Sequence, residues 1–171
     1  PPSKHALDLG GFLLLMNDSG GRRRIVYGPN NAIATDPFDD EFELQSSPDD
    51  EITGGVIYNK KGYVSTRYKM FRVSPVGGNP DFSALEVANF GMVPRTMAVV
   101  AIPALGGEVI IGLGWDKKLR IFDGTESRVV SDAVEFNNGM CPFSMNDIQT
   151  SDIQKSHAEL DTNEQVYKLW V

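Results

Sequence analysis

Short β-prone runs separated by tight-turn residues dominate this chain and restrict what it can fold into. Residues 55–73 double back around Asn59-Lys60-Lys61-Gly62, and residues 108–130 are interrupted at Gly114-Trp115-Asp116 and at Asp123-Gly124. Runs rich in Val, Ile, Tyr and Phe, joined by Gly- and Asn-containing turns, read as β-hairpins. A succession of hairpins predicts an all-β fold: a mainly antiparallel sandwich or barrel, with at most one short helix near residues 146–160. The helical expectation rests on Ile148, Ile153 and Leu160 standing among Gln, Lys, Ala and Glu.

Individual runs carry further detail. Phe12-Leu13-Leu14-Leu15-Met16 is closed by Asn17-Asp18-Ser19-Gly20-Gly21, and Arg24-Ile25-Val26-Tyr27 follows, which predicts a hairpin. Residues 36–51 hold eight carboxylates and two prolines around Glu41-Phe42-Glu43-Leu44, the composition of a surface loop containing an edge strand. Alternation through residues 66–73 sets Tyr68, Met70 or Phe71 against a core, the choice depending on a bulge. Val76-Gly77-Gly78-Asn79-Pro80 is the strongest loop signal and is expected to separate two sheets. Residues 96–102 and 109–113 are nearly continuous in apolar content, as central strands covered on both faces are. Residues 133–136 form a further β-prone run, ended by Asn137-Asn138-Gly139. No sequence repeat of 20 to 50 residues stands out, and the Gly-Gly pairs at 10/11, 20/21, 54/55, 77/78 and 106/107 read as turns.

A chain of 171 residues suits one domain, here residues 1–171, able to bury a core without staples. Its start at Pro1-Pro2 and its stop after a strand-like run read as an excision from a larger polypeptide. Twenty-three acidic against 16 basic side chains give a net charge of −7, which disfavours nucleic acid as a partner. No apolar run approaches the roughly 20 residues that span a bilayer, so no membrane insertion is expected. The lone Cys141 cannot form an internal disulfide.

Catalytic chemistry is thinly represented. His5 and His157 are the two imidazoles, and neither lies near Cys141 in sequence. The chain has no Gly-x-Ser-x-Gly elbow, no His-Glu-x-x-His and no Cys-x-x-Cys, and the glycines of residues 106–114 flank a strand instead of leading into a helix as phosphate loops do. No cofactor, metal or catalytic residue is therefore assigned. Two uses of the acidic stretch compete with a solubilising face: hard oxygen ligands for calcium, without the regular loop spacing, and a carboxylate pair for glycoside cleavage. Asn17-Asp18-Ser19 is a glycosylation acceptor triplet.

The binding candidates are Trp115, Asp116 and Lys117, the cluster Arg22, Arg23 and Arg24, and Asn79 with Asp81. Trp beside a carboxylate in a turn suits stacking on a sugar ring or anchoring a protein contact, against the alternative of a Trp folded over the core edge. Three successive arginines suit forked hydrogen bonding to an anion, against the alternative of a solvated strand end.

Gly114-Trp115-Asp116-Lys117-Lys118-Leu119-Arg120-Ile121-Phe122-Asp123 resembles the later strands of a WD40 propeller blade, with its basic-aliphatic-aromatic-Asp ending, and Val166-Tyr167-Lys168-Leu169-Trp170 is similar more faintly. The chain lacks the Gly-His dipeptide that opens such a blade. That resemblance implies a cytoplasmic, propeller-like scaffold fragment for protein–protein interaction. In its general character, β-rich, acidic and poor in motifs, the chain is also similar to the protruding or spike domains of capsid proteins. This second similarity is the leading expectation: a non-enzymatic, homodimeric attachment domain on a virion surface, recognising a glycan or protein receptor.

Overall fold

The computed structural model describes residues 3–29, 40–76, 81–131, 149, 151–161 and 166–171. They form two compact units, Pro1–Gly91 and Met92–Val171. Both are built of antiparallel hairpins, and the fold is all-β.

In the first unit, strands β1 (Ser3–Leu9), β2 (Phe12–Asp18), β3 (Gly21–Pro29) and β4 (Asp40–Glu43) form one sheet in the order β1-β2-β3-β4. Strands β5 (Ile52–Tyr58), β6 (Lys61–Thr66), β7 (Met70–Val76) and β8 (Asp81–Ala88) form a second, in the order β5-β6-β7-β8. Local chemistry fixes the turns. Gly10 and Gly11, and then Asn59 and Lys60, all take positive φ, the backbone twist that joins strands through two residues without splaying them. At the β2–β3 end a bulge at Asn17 (φ 55°) precedes Asp18, whose Oδ1 accepts hydrogen bonds from the amides of Gly20 and Gly21 at 2.8 and 3.1 Å.

The two sheets face each other across one core. Leu7, Leu9, Leu14, Met16, Ile25 and Tyr27 from the first meet Ile52, Val64, Phe71 and Val73 from the second, with Leu44 between them in sequence. Each fully buried side chain of this size contributes about 1.5–3 kcal/mol. Backbones approach most closely where the first strands, β1 and β5, lie side by side. An aromatic group bridges the sheets further out: Phe82 packs edge-on against Phe12 (5.8 Å) and Tyr27 (4.8 Å), and Phe42 lies 6.1 Å from Tyr27.

The second unit repeats this plan. Strands β9 (Ala98–Ile102), β10 (Gly107–Leu113), β11 (Leu119–Phe122) and β12 (Ser127–Val129) form a sheet in the order β12-β11-β10-β9. A 3-10 turn at Ile153–Lys155 leads into the hairpin of β13 (His157–Asp161) and β14 (Val166–Trp170). Val100, Val109, Ile111 and Ile121 form a core that Leu160 and Tyr167 of the hairpin join. A second cluster unites Val93, Leu113 and Ile153 with Trp115 and Leu169. Here too the first strands, β9 and β13, are the close pair, and Ala158 N–H donates to Arg95 O at 2.9 Å.

Several sequence expectations hold. The hairpins at residues 12–27 and 55–73 are present, residues 41–43 lie in an edge strand, and a bulge between Met70 and Phe71 buries both while Tyr68 stays 44% exposed. Of residues 146–160, those described (149 and 151–160) hold a three-residue 3-10 turn, Ile153–Lys155, within the limit of at most one short helix, and run on into strand β13, where pairing with β14 imposes a period of two. Two expectations are corrected. Residues 77–80 do not divide sheets: Val76 and Asp81, on either side, pair within one sheet. Residues 98–102 form an edge strand, and the apolar content there reflects packing of β9 against the next hairpin, not two covered faces. Residues 133–136 and Cys141 lie outside the described residues. The absence of a sequence repeat conceals a structural one: the same four-stranded meander recurs three times.

Candidate functional site

The arginine cluster sits on β3 and is largely committed within the first unit. Arg24 forms ion pairs with Glu41 and, at 3.7 Å, with the buried carboxylate of Asp18. Arg23 donates to Ser46 O at 2.7 Å and to Glu43 Oε2 at 3.3 Å. The register places Arg24 opposite Glu43 on the adjoining edge strand β4, so the acidic stretch and the arginines neutralise each other across one pair of strands. Arg22 is exposed. Asp81 opens β8 and is exposed, whereas Asn79 lies outside the described residues. Burial raises the pKa of the Tyr27 phenol, and the charges of Asp40 and Asp81 push it the same way.

Trp115, Asp116 and Lys117 belong to the second unit, in the turn between β10 and β11. Trp115 is half-buried and packs onto Val93, Leu113 and Ile153. Asp116 Oδ2 accepts from Arg120 at 2.5 Å, and its Oδ1 accepts from the Lys118 amide at 3.3 Å. Lys117 takes φ 63°, and the Gly114 and Lys118 backbones bond at 2.8 Å. The turn is thereby braced from within, with the exposed carboxylate of Asp116 and the half-buried Lys117 at its tip.

Several other groups turn out to be structural. Asn17 is 4% exposed, and its Nδ2, the atom a glycan would occupy, donates to Ile52 O at 2.9 Å. His5 lies in β1, and His157 stacks on Trp170 at 5.0 Å with 7° between the rings. Among the described residues no group of His, Cys, Asp or Glu is arranged to hold a metal ion; Asp36 and Asp39 lie outside them. Asp49 and Asp123 have lowered pKa values, the first chiefly through the Ser47 hydroxyl and the second through the amides of Glu126 and Thr125.

The sequence reading missed one recurring position. A short polar residue, fully buried, stands just ahead of the first strand of the second, third and fourth sheets: Asp50, Thr96 and Ser156. Asp50 Oδ1 accepts from the Arg67 amide at 2.9 Å, just beyond β6, and Thr96 Oγ accepts from the Leu113 amide at 3.2 Å, at the end of β10. Asp50 and Thr96 thus fasten the start of a sheet to the end of its second strand. Tyr167, from β14, donates its hydroxyl to Thr96 O at 2.5 Å, and burial raises its pKa. In the sequence these three stand beside other polar residues, among them Asp49, Glu51, Arg95, Lys155 and His157, so no local signal selects them. Comparison of the chain with family models, curated proteins and solved structures returns no match.

Proposed function

We propose that this chain is a run of propeller-type blades that serves as a non-enzymatic scaffold for protein recognition. The supporting observation is the succession of four-stranded meanders in sequence order, each sheet meeting its neighbour within a unit at their first strands. Radially repeated four-stranded sheets are the propeller plan. The segment that resembles a WD40 blade spans the turn between β10 and β11 and strand β11 itself, a position that supports the reading. Loops on a braced β scaffold offer recognition surfaces without catalytic machinery. Carboxylates committed to Arg23, Arg24, Lys69, Arg120 and turn amides support a structural use of charge.

The test is a paired selection on the intact, immobilised chain: a displayed peptide library beside a glycan array. Enrichment of peptide sequences with alternating apolar residues, and no glycan bound, is expected. Glycan binding without peptide enrichment would refute the scaffold reading in favour of an attachment domain. Turnover of any glycoside in a substrate panel would refute it in favour of an enzyme.

A further inference from the structure

We infer that the rim of the first unit, where β3 and β4 meet β8, binds an arginine side chain of a partner polypeptide. The inference rests on the recognition role proposed above and gives its partner a chemical anchor. Strand register defines the place. Tyr27 of β3 stands opposite Asp40, the first residue of the edge strand β4, and Ile25 stands opposite Phe42, so these side chains share the face turned toward the second sheet. From that sheet β8 brings Phe82, whose ring lies edge-on to Tyr27 at 4.8 Å, and Asp81, with which the strand begins. Phe12 lies 5.8 Å from Phe82, and Phe42 lies 6.1 Å from Tyr27. The three phenylalanines are half-buried and both aspartates are exposed, so aromatic surface and negative charge reach solvent at the same rim.

Two observations point to a ligand there. Tyr27 is 6% exposed, and its hydroxyl forms no hydrogen bond among the described residues, although the charges of Asp40 and Asp81 both act on it. A buried hydroxyl without a partner is costly, and a donor arriving from outside removes that cost. Secondly, Asp40 and Asp81 take part in no ion pair among the described residues, whereas their neighbours Glu41 and Glu43 are held by Arg24 and Arg23. Two carboxylates and a phenol oxygen thus offer acceptors beside ring surfaces, and a cation is missing. Guanidinium fits this set: it is planar and weakly hydrated, presents five donors in a fork matched to carboxylates, and stacks on aromatic faces. An ammonium is a compact, strongly hydrated charge, and calcium takes oxygen ligands and makes no use of the rings. The net charge of −7 favours encounter with a basic partner.

The probe is the tripeptide acetyl-Gly-Arg-Gly-amide, with its citrulline counterpart, neutral and similar in shape, as the control. Binding to the intact chain is followed through the NMR signals of the Tyr and Phe rings. The expected result is a saturable shift of the Tyr27 ring with the arginine peptide only. Asp40→Asn and Asp81→Asn should each weaken binding about fivefold, and Tyr27→Phe about threefold. None of the three should lower the melting temperature, because the free protein gives the hydroxyl no partner and sets the two charges against each other. A lowered melting temperature for Tyr27→Phe would assign the hydroxyl to the fold and overturn its part in the site. Equal affinity for the citrulline peptide, shifts confined to other residues, or unchanged affinity in the double Asn variant would overturn the inference. A Tyr27 shift produced by calcium chloride and not by the arginine peptide would overturn it in favour of an inorganic cation site. The peptide library separates the two levels of argument. Enriched peptides that lack arginine and leave Tyr27 unshifted remove the anchor while the recognition role stands; arginine binding with no peptide enriched overturns the polypeptide partner and the scaffold reading with it.

Discussion

Asn17 offers the sharpest check on how the first unit is held together, because its backbone and side chain contribute separately. Its side-chain Nδ2 donates to Ile52 O at 2.9 Å, tying the end of β2 to the start of β5, and its φ is 55°. Asn17→Gly removes the side-chain donor and leaves a buried carbonyl short of a partner, at a cost of about 1–3 kcal/mol. It carries no backbone penalty, since glycine adopts left-handed φ freely. Asn17→Ala loses the same bond and adds about 1 kcal/mol for an unassisted Cβ in that region. The expected order of stability is therefore parent, then Gly, then Ala, with gaps of about 2 and 1 kcal/mol. Opening free energies from amide exchange along β5 suit the measurement, because the two units need not unfold in one step. A Gly variant as stable as the parent would refute the contribution assigned to the bond. Equal stability of Gly and Ala would refute the left-handed geometry.

Other expectations address separate parts of the fold. Phe71→Ala should destabilise the first unit by about 3–5 kcal/mol, since the ring is 2% exposed in the sheet-to-sheet core; urea denaturation followed by circular dichroism measures it, and a loss under 1 kcal/mol would refute that packing. Gly91→Ala should cost about 3 kcal/mol, because its Cβ would lie 1.8 Å from Thr66 O, and an unchanged melting temperature would show that the approach is not so close. Tyr167→Phe should cost about 1 kcal/mol in the second unit through loss of the bond to Thr96 O. Burial raises the Tyr167 pKa, so its contribution is intact below the unfolded value near 10 and declines as pH rises above it; the Phe variant should lose this part of the alkaline dependence. Asp123 is the opposite case: amides lower its pKa, so its contribution is present above the unfolded value near 4 and declines as pH falls through the folded one, and Asp123→Asn should flatten that acid limb.

Turn chemistry and period-two patterning made the strands legible, because both are local. Asn59-Lys60 and Gly10-Gly11 specify left-handed two-residue turns from side-chain sterics alone, and alternation from Thr66 to Val73 announced a strand whose facing depended on a bulge. Local signals also misled where neighbours decide. The apolar run of residues 98–102 has the composition of a central strand, yet β9 is an edge strand whose apolar side chains are covered by a separate hairpin. Near residues 146–160 the expected limit of one short helix is met by the turn at Ile153–Lys155, and pairing with β14 sets His157 to Asp161 in a strand.

The candidate site divides in the same way. The sequence supplied Arg22 to Arg24 and Trp115 to Lys117 as conspicuous residue types, but side-chain availability depends on partners distant along the chain: Glu41, Glu43 and Ser46 for the arginines, and Val93 and Ile153 for the tryptophan. Asp50, Thr96 and Ser156 gain meaning only from the strand end each one faces. By itself the sequence determined an all-β chain of hairpins and the chemistry of its turns, because those follow from residues a few positions apart. The tertiary structure decided sheet membership and the recurrence of the four-stranded meander, because these depend on pairing and packing between residues far apart in sequence, which no local pattern encodes.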